Sequence, residues 1–198
     1  MVAKMNIAKT TKTAGKLLCL LTGVALAQQA NAASMVIGGG MAQECYNAVK
    51  IGRTQIREAI ETCSTALTGE TLSRKDRAAT YANRGVLEMR AGHYERALKD
   101  YDRALSISES LTEAYINRGA AYIYLHEYHK ALDALNVGVT ATDSEDLPAA
   151  YYNRAIANEA LGDLQAAYED FEMAVRLKPD FEQAARQLKR FQVIEQTE

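Results

Sequence analysis

An all-α fold, built from antiparallel helix pairs stacked into a solenoid, is what this sequence predicts, and three observations predict it. One motif is written three times: Asn83-Arg84-Gly85 returns 34 residues on as Asn117-Arg118-Gly119, and 36 residues further as Asn153-Arg154-Ala155. Apolar residues recur at spacings of three and four, and no stretch alternates as a strand would. The turns between helical runs are short, so neighbouring helices must run antiparallel.

Taken in order, the chain opens with Lys4, Lys9, Lys12 and Lys16 and no acidic partner, then the apolar run Leu17–Ala27. That run has the length of a secretory signal and is too short to span a bilayer. Ala30-Asn31-Ala32 is a small-x-small cleavage signal, so residues 1–32 read as a signal peptide cut near Ala32. Cys19 follows bulky Leu18 near the start of the apolar run, a poor place for acylation after cleavage. Residues 33–42, with three consecutive glycines, read as a flexible tether.

Helices are expected over 41–51 and 53–67, then in three clearer pairs: 74–91 with 94–107, 111–125 with 128–141, and 147–161 with 164–177. Pro148 suits a helix's first turn, Pro179 closes the last pair, and Phe181–Gln196 reads as a solitary amphipathic helix. Residues 43–180 thus form one array of a degenerate and three clear repeats, with residues 181–198 as its cap.

The recurring residue types have a packing reason. Gly85, Gly119 and Ala155 in the first helices, and Ala97, Ala131 and Ala167 in the second, let the helices of a pair approach closely. Tyr101, Leu135 and Phe171 fill the space beside them, and Ala104, Gly138 and Ala174 are placed to admit the next pair. A single pair leaves an apolar face open, and stacking closes it.

From about Gln43 to Pro179 this pattern resembles the tetratricopeptide repeat family, most closely at Gly85, Gly92, Tyr94, Ala97, Tyr101 and Ala104. It departs at His126, where the turn glycine is expected, at Gly138, and at Ala155. A degenerate copy stands at Ala59, Cys63 and Ala66. The resemblance implies a right-handed α-solenoid whose first helices line a concave groove. The implied lining is Ala82, Val86, Met89, Ile116, Ala120, Ile123, Tyr152 and Ile156, with Asn83, Asn117 and Asn153 as a ladder. An asparagine amide offers both a donor and an acceptor, so such a ladder can pair with a peptide backbone. Relatives that grip the carboxylate of heat-shock chaperones use a basic clamp, whereas Ala82 and Ile116 here are uncharged, which points to an uncharged or hydrophobic segment. Two occupants stay open for the groove: a partner's segment, or the chain's own residues 33–40.

Cys45 and Cys63 lie symmetrically about Thr54, at one height on the first helical pair. A disulfide is expected, with buried free thiols as the alternative; no Cys-x-x-Cys pair suggests redox catalysis. His126 and His129 straddle a turn without further ligands nearby, so no metal site is assigned. Hydrolase signatures and a phosphate-binding glycine loop are absent, and no catalytic residue or cofactor is assigned. Arg84, Arg118 and Arg154 read as structural, pairing with Asp100 or Asp170.

Without residues 1–32 the chain keeps 19 basic against 25 acidic residues and no basic block. Nucleic acid is therefore a poor partner, and nothing beyond the signal inserts in a membrane. The expectation is a non-enzymatic adaptor, periplasmic or secreted, that binds a protein segment. The alternative is a structural component of an envelope assembly that associates with its own copies.

Overall fold

The computed structural model describes residues 6–9, 34–36, 40–52, 55–140 and 145–194. Its helices are α1 (Met41–Ile51), α2 (Ile56–Gly69), α3 (Arg74–Arg90), α4 (Tyr94–Ile107), α5 (Thr112–Tyr124), α6 (Tyr128–Gly138), α7 (Leu147–Leu161), α8 (Leu164–Leu177) and α9 (Glu182–Leu188). Consecutive helices pack as pairs, α1 on α2 through α7 on α8. Each second helix also packs on the first helix of the next pair: α2 on α3, α4 on α5, α6 on α7. First helices touch one another as well, α1 with α3, α3 with α5, α5 with α7. Their shared layer is the inner curve of an α-solenoid, the fold class expected from the period.

The expected small-to-large contacts form within each pair. A Cβ on Gly85 would sit 2.5 Å from Tyr101 Cε1, and one on Gly119 2.4 Å from Leu135 Cγ. Only hydrogen fits where these helices cross. Gly138, read as admitting the next pair, instead faces Ile116 of its own pair, where a Cβ would come 2.8 Å from Cγ1.

The degenerate first pair is held covalently. Cys45 and Cys63 are bonded with their Cα atoms 4.9 Å apart, and both are fully buried. Ala48 and Ala59 are also buried in this pair, which permits so close an approach. At the start of α1, where Gly40 has no side chain to cap with, Glu70 accepts hydrogen bonds from the Met41 and Ala42 amides at 2.6 and 3.3 Å. A carboxylate suits this positive helix end.

The arginines serve the architecture. Arg84 donates to both oxygens of Asp100 at 2.8 and 2.7 Å, and Arg154 repeats the geometry on Asp170 at the same distances. In the middle repeat the equivalent acid position is Ala134, fully buried, so Arg118 turns back to Asp102 on α4 at 3.1 Å. The acid side chains of the first two pairs are 6% and 8% exposed against 57% for Asp102, which makes the third pair weak. The turn residues follow the same division. Gly92 and Gly162 take φ of 78° and 88°, and His126 is forced to φ 59° at the matching place. A side chain there costs conformational energy that the two glycines avoid.

Three expectations change. Strands do occur: Asn6–Lys9 (β1) and Phe191–Ile194 (β2) pair antiparallel, Lys9 opposite Phe191 and Asn6 opposite Ile194. The capping helix is correspondingly short, because Phe191, Val193 and Ile194 favour extended backbone over a helix. The end of the array is covered by α9 together with Phe191, whose ring lies 5.9 Å from Phe171 and 6.1 Å from Tyr168. Third, the segment read as a flexible tether is docked where it is described, at Ser34–Val36, within the stretch left open as an occupant of the groove. β1 lies within the expected signal peptide, while Cys19, Leu17–Ala27 and the Ala30–Ala32 signal lie outside the described residues. Among the described residues, no helix is long and apolar enough to cross a membrane.

Candidate peptide-binding groove

On α3, Ala79, Asn83 and Val86 fall on one helical face, at spacings of four and three. Asn83 and Val86 belong to the inner layer expected to line the groove. Asn83 is fully buried, and its amide is engaged at both ends: Oδ1 accepts from the Ser34 amide at 2.9 Å, and Nδ2 donates to the Ser34 carbonyl at 2.9 Å. A residue that presents N–H and C=O to one side is extended, and the side-chain amide here stands where a neighbouring strand residue would. Burial agrees: Ser34 is 4% exposed, Met35 62% and Val36 5%, an alternation with the period of a strand. Val36 packs with Ala42, Ala66, Ala79, Tyr46 and Leu72, between the first and second pairs. Beside it lies a cleft of about 330 Å³ whose walls include Ser34, Met35, Lys75, Ala79, Ser110 and Glu113.

The equivalent asparagines on α5 and α7 are placed alike. Asn117 is 2% exposed and Asn153 fully buried. The Asn117 Nδ2 makes no hydrogen bond among the described residues. A buried donor left so costs roughly 1–3 kcal/mol.

Every expected lining residue is buried in the full chain. Ala82, Val86, Met89, Ala120 and Ile123 are each at most 4% exposed, and Ile156 is 8% exposed. Ile116 and Tyr152 are held in the packing itself. Ile116 sits against Gly138 and clusters with Ala150, while Tyr152 lies edge-on to Phe171 at 5.6 Å and tilted over Phe181 at 5.1 Å. Burial pushes the Tyr152 phenol above its usual pKa. The sequence named the asparagines. It offered residues 33–40 only as one of two occupants and did not single out Ser34 and Val36, because the triple glycine that follows them masks a local segment with a buried, alternating pattern. No group of three potential metal ligands gathers among the described residues, and His126 bonds Tyr128 Oη at 2.8 Å instead.

Residues 78–111 and 148–181 each match the tetratricopeptide repeat family. Serine/threonine-protein phosphatase 5 of Rattus norvegicus is 34% identical over 110 residues, 56% of this chain and 21% of the phosphatase. An SGT1 homologue of Oryza sativa subsp. japonica is 38% identical over 61 residues, 31% of this chain and 17% of that protein. The chain thus spans about a fifth of the length of these relatives. Among solved structures, MamA from Desulfovibrio magneticus RS-1 superposes with a TM-score of 0.62 at 22% identity, covering 76% of this chain and 82% of that one. The second repeat domain of human RPAP3, solved with the HSP70 peptide SGPTIEEVD, gives 0.55 at 26% identity over 59% of this chain and 96% of that domain. With its 34-residue period, its paired helices and two matched repeats, the chain belongs to the tetratricopeptide repeat family.

Proposed function

We propose that this protein is a non-enzymatic adaptor that holds an extended segment of a partner protein along its inner face, through the amides of Asn83, Asn117 and Asn153. The Asn83 clip on the Ser34 backbone carries this reading, since it displays the chemistry the ladder offers. RPAP3 holds its peptide in a related fold, which supports a peptide role for this one. The Ser34–Val36 segment held there is itself uncharged, with Val36 in an apolar socket, which favours an apolar or neutral segment over one ending in acids.

We place the working protein outside the cytoplasm, periplasmic or secreted, cut near Ala32. The buried Cys45–Cys63 bond suits an oxidising compartment. Amino-terminal sequencing of the protein from its native cells should begin at Ala33; an intact Met1 would refute export by this signal.

Asn117→Ala tests the groove cleanly. Truncation removes a buried donor that makes no bond within the described chain, a gain that offsets the small cavity left behind, so the melting temperature should change little while partners captured from native extract are lost. Unchanged capture would remove the ladder from function. Self-association is the second reading, favoured by Met41 and Ile51, 42% and 72% exposed on α1 at one end of the array. Light scattering separates the two, because a monomer at all concentrations excludes it.

A further inference from the structure

We infer that residues 34–36 are a resident ligand at the first rung of the asparagine ladder, and that the external ligand is an extended small-x-aliphatic segment that displaces them and runs on to Asn117. The inference rests on the adaptor reading above and specifies its ligand.

Four observations carry it. Recognition of Ser34 is by backbone alone: Asn83 binds its N–H and C=O, while its Oγ is buried without a hydrogen-bond partner among the described residues. Any residue with an N–H satisfies such a clip, and a hydroxyl there is a liability, because burial strips its water and returns nothing. Alanine or glycine is the better fit. Two residues on, Val36 is 5% exposed between Ala42, Ala66, Ala79, Tyr46 and Leu72, a small apolar socket that takes an aliphatic side chain. The residue between, Met35, points to solvent at 62% exposure and is unread. The motif is thus small, any, aliphatic.

Beyond it, Asn117 presents the same amide one repeat along, 98% buried by its 2% exposure, with Nδ2 unbonded among the described residues. The resident segment satisfies the first rung and leaves this donor unsatisfied. A longer external segment that engages both gains a hydrogen bond that residues 34–36 do not make. The resident segment therefore competes from high local concentration but with an imperfect fit, the combination that allows exchange.

The test uses the full chain and a fluorescent peptide of residues 33–40, ASMVIGGG. Ser34→Pro removes the N–H and Val36→Asp empties the socket, both outside the helices of the array. The doubly substituted chain should bind the peptide at least about tenfold more tightly than the unsubstituted chain, whose site is filled. With that chain, N-methylation of the peptide at its serine amide should weaken binding about tenfold, and alanine in place of that serine should tighten it about fivefold. Equal binding to both chains, no binding to the substituted chain, or indifference to N-methylation overturns the inference. A second measurement needs no destabilised variant. In the unsubstituted chain the Ser34 amide should exchange with deuterium at least about tenfold slower than in the free peptide, and the free-peptide rate would refute residency. A concentration-dependent dimer that loses its protection on dilution would show a second copy as donor and overturn residency within one chain. Failure of the Asn117→Ala capture assay, with these peptide results intact, would reject the adaptor reading without touching the resident ligand.

Discussion

Gly119→Ala tests the packing logic of the whole array at its central pair. The added Cβ would lie 2.4, 2.8 and 3.0 Å from Leu135 Cγ, Cδ2 and Cδ1. Carbon atoms settle at about 3.5–4.0 Å, so Leu135 must retreat by roughly 1 Å. It is fully buried among α5 and α6 and has no free side on which to do so. Overpacking of this kind costs about 1–3 kcal/mol. Against it stands the helix propensity of alanine over glycine, worth about 1 kcal/mol in favour. The net expectation is a loss of about 0–2 kcal/mol, centred near 1, or roughly 2–4 °C in melting temperature for a chain of this size. The repeats supply a control, since Ala155 occupies the matching place opposite Phe171 and is accommodated, fully buried. Urea unfolding of Gly119→Ala, Leu135→Val and the double variant measures the coupling. The double variant should recover at least about 1 kcal/mol relative to the sum of the singles. An increase in stability for Gly119→Ala alone would mean that the helices are not in van der Waals contact at this crossing, and the close-approach reasoning would fail.

His126→Gly should stabilise the protein by about 0.5–1 kcal/mol, by relieving a side chain at φ 59° where Gly92 and Gly162 stand in the sister turns; calorimetry reads it, and a loss larger than that would assign the His126–Tyr128 bond the greater weight. Reduction of the Cys45–Cys63 bond, or Cys45→Ala with Cys63→Ala, opens an 18-residue link and should cost about 3 kcal/mol, seen first as amide exchange in α1 and α2. Asp100→Ala leaves the Arg84 guanidinium without its buried partner and should cost about 3 kcal/mol, while Asp102→Ala, at an exposed pair, should cost under about 0.5 kcal/mol. Asp146 gives a pH signature. Burial, then Glu113 and Glu145, raise its carboxyl to about 6, so the folded chain holds that proton where the unfolded chain has lost it. The contribution of Asp146 to stability is therefore greatest below about pH 4 and falls as pH rises through 6, by about 1 kcal/mol once solvent screening is allowed for. Asp146→Asn should abolish that fall and be the more stable protein at pH 7; an unchanged profile in urea titrations across this range would refute it.

Much of this was legible in the residues. Small side chains at helix crossings, partnered by one large residue each, are a local constraint that any correct packing must respect, and so the sequence already pairs Gly85 with Tyr101 and Gly119 with Leu135. The bidentate bonds of Arg84 and Arg154 followed from acids sixteen residues on, and Arg118 turned elsewhere because Ala134 stands at that place. Cys45 and Cys63 could be placed at one height by symmetry about a turn, although their bond required helices closer than ordinary packing. The strand pair β1–β2 was not legible, since it joins residues almost two hundred positions apart and each partner is only four residues long.

By itself the sequence determined the period, the helices, their antiparallel pairing and the asparagine ladder, because each depends on neighbours within about forty residues. Tertiary structure alone decided what the ladder meets. Asn83 and Ser34 are 49 positions apart, and nothing periodic links them. Their bond forms because Val36 packs between the first and second pairs, which brings the Ser34 backbone to the buried Asn83 amide.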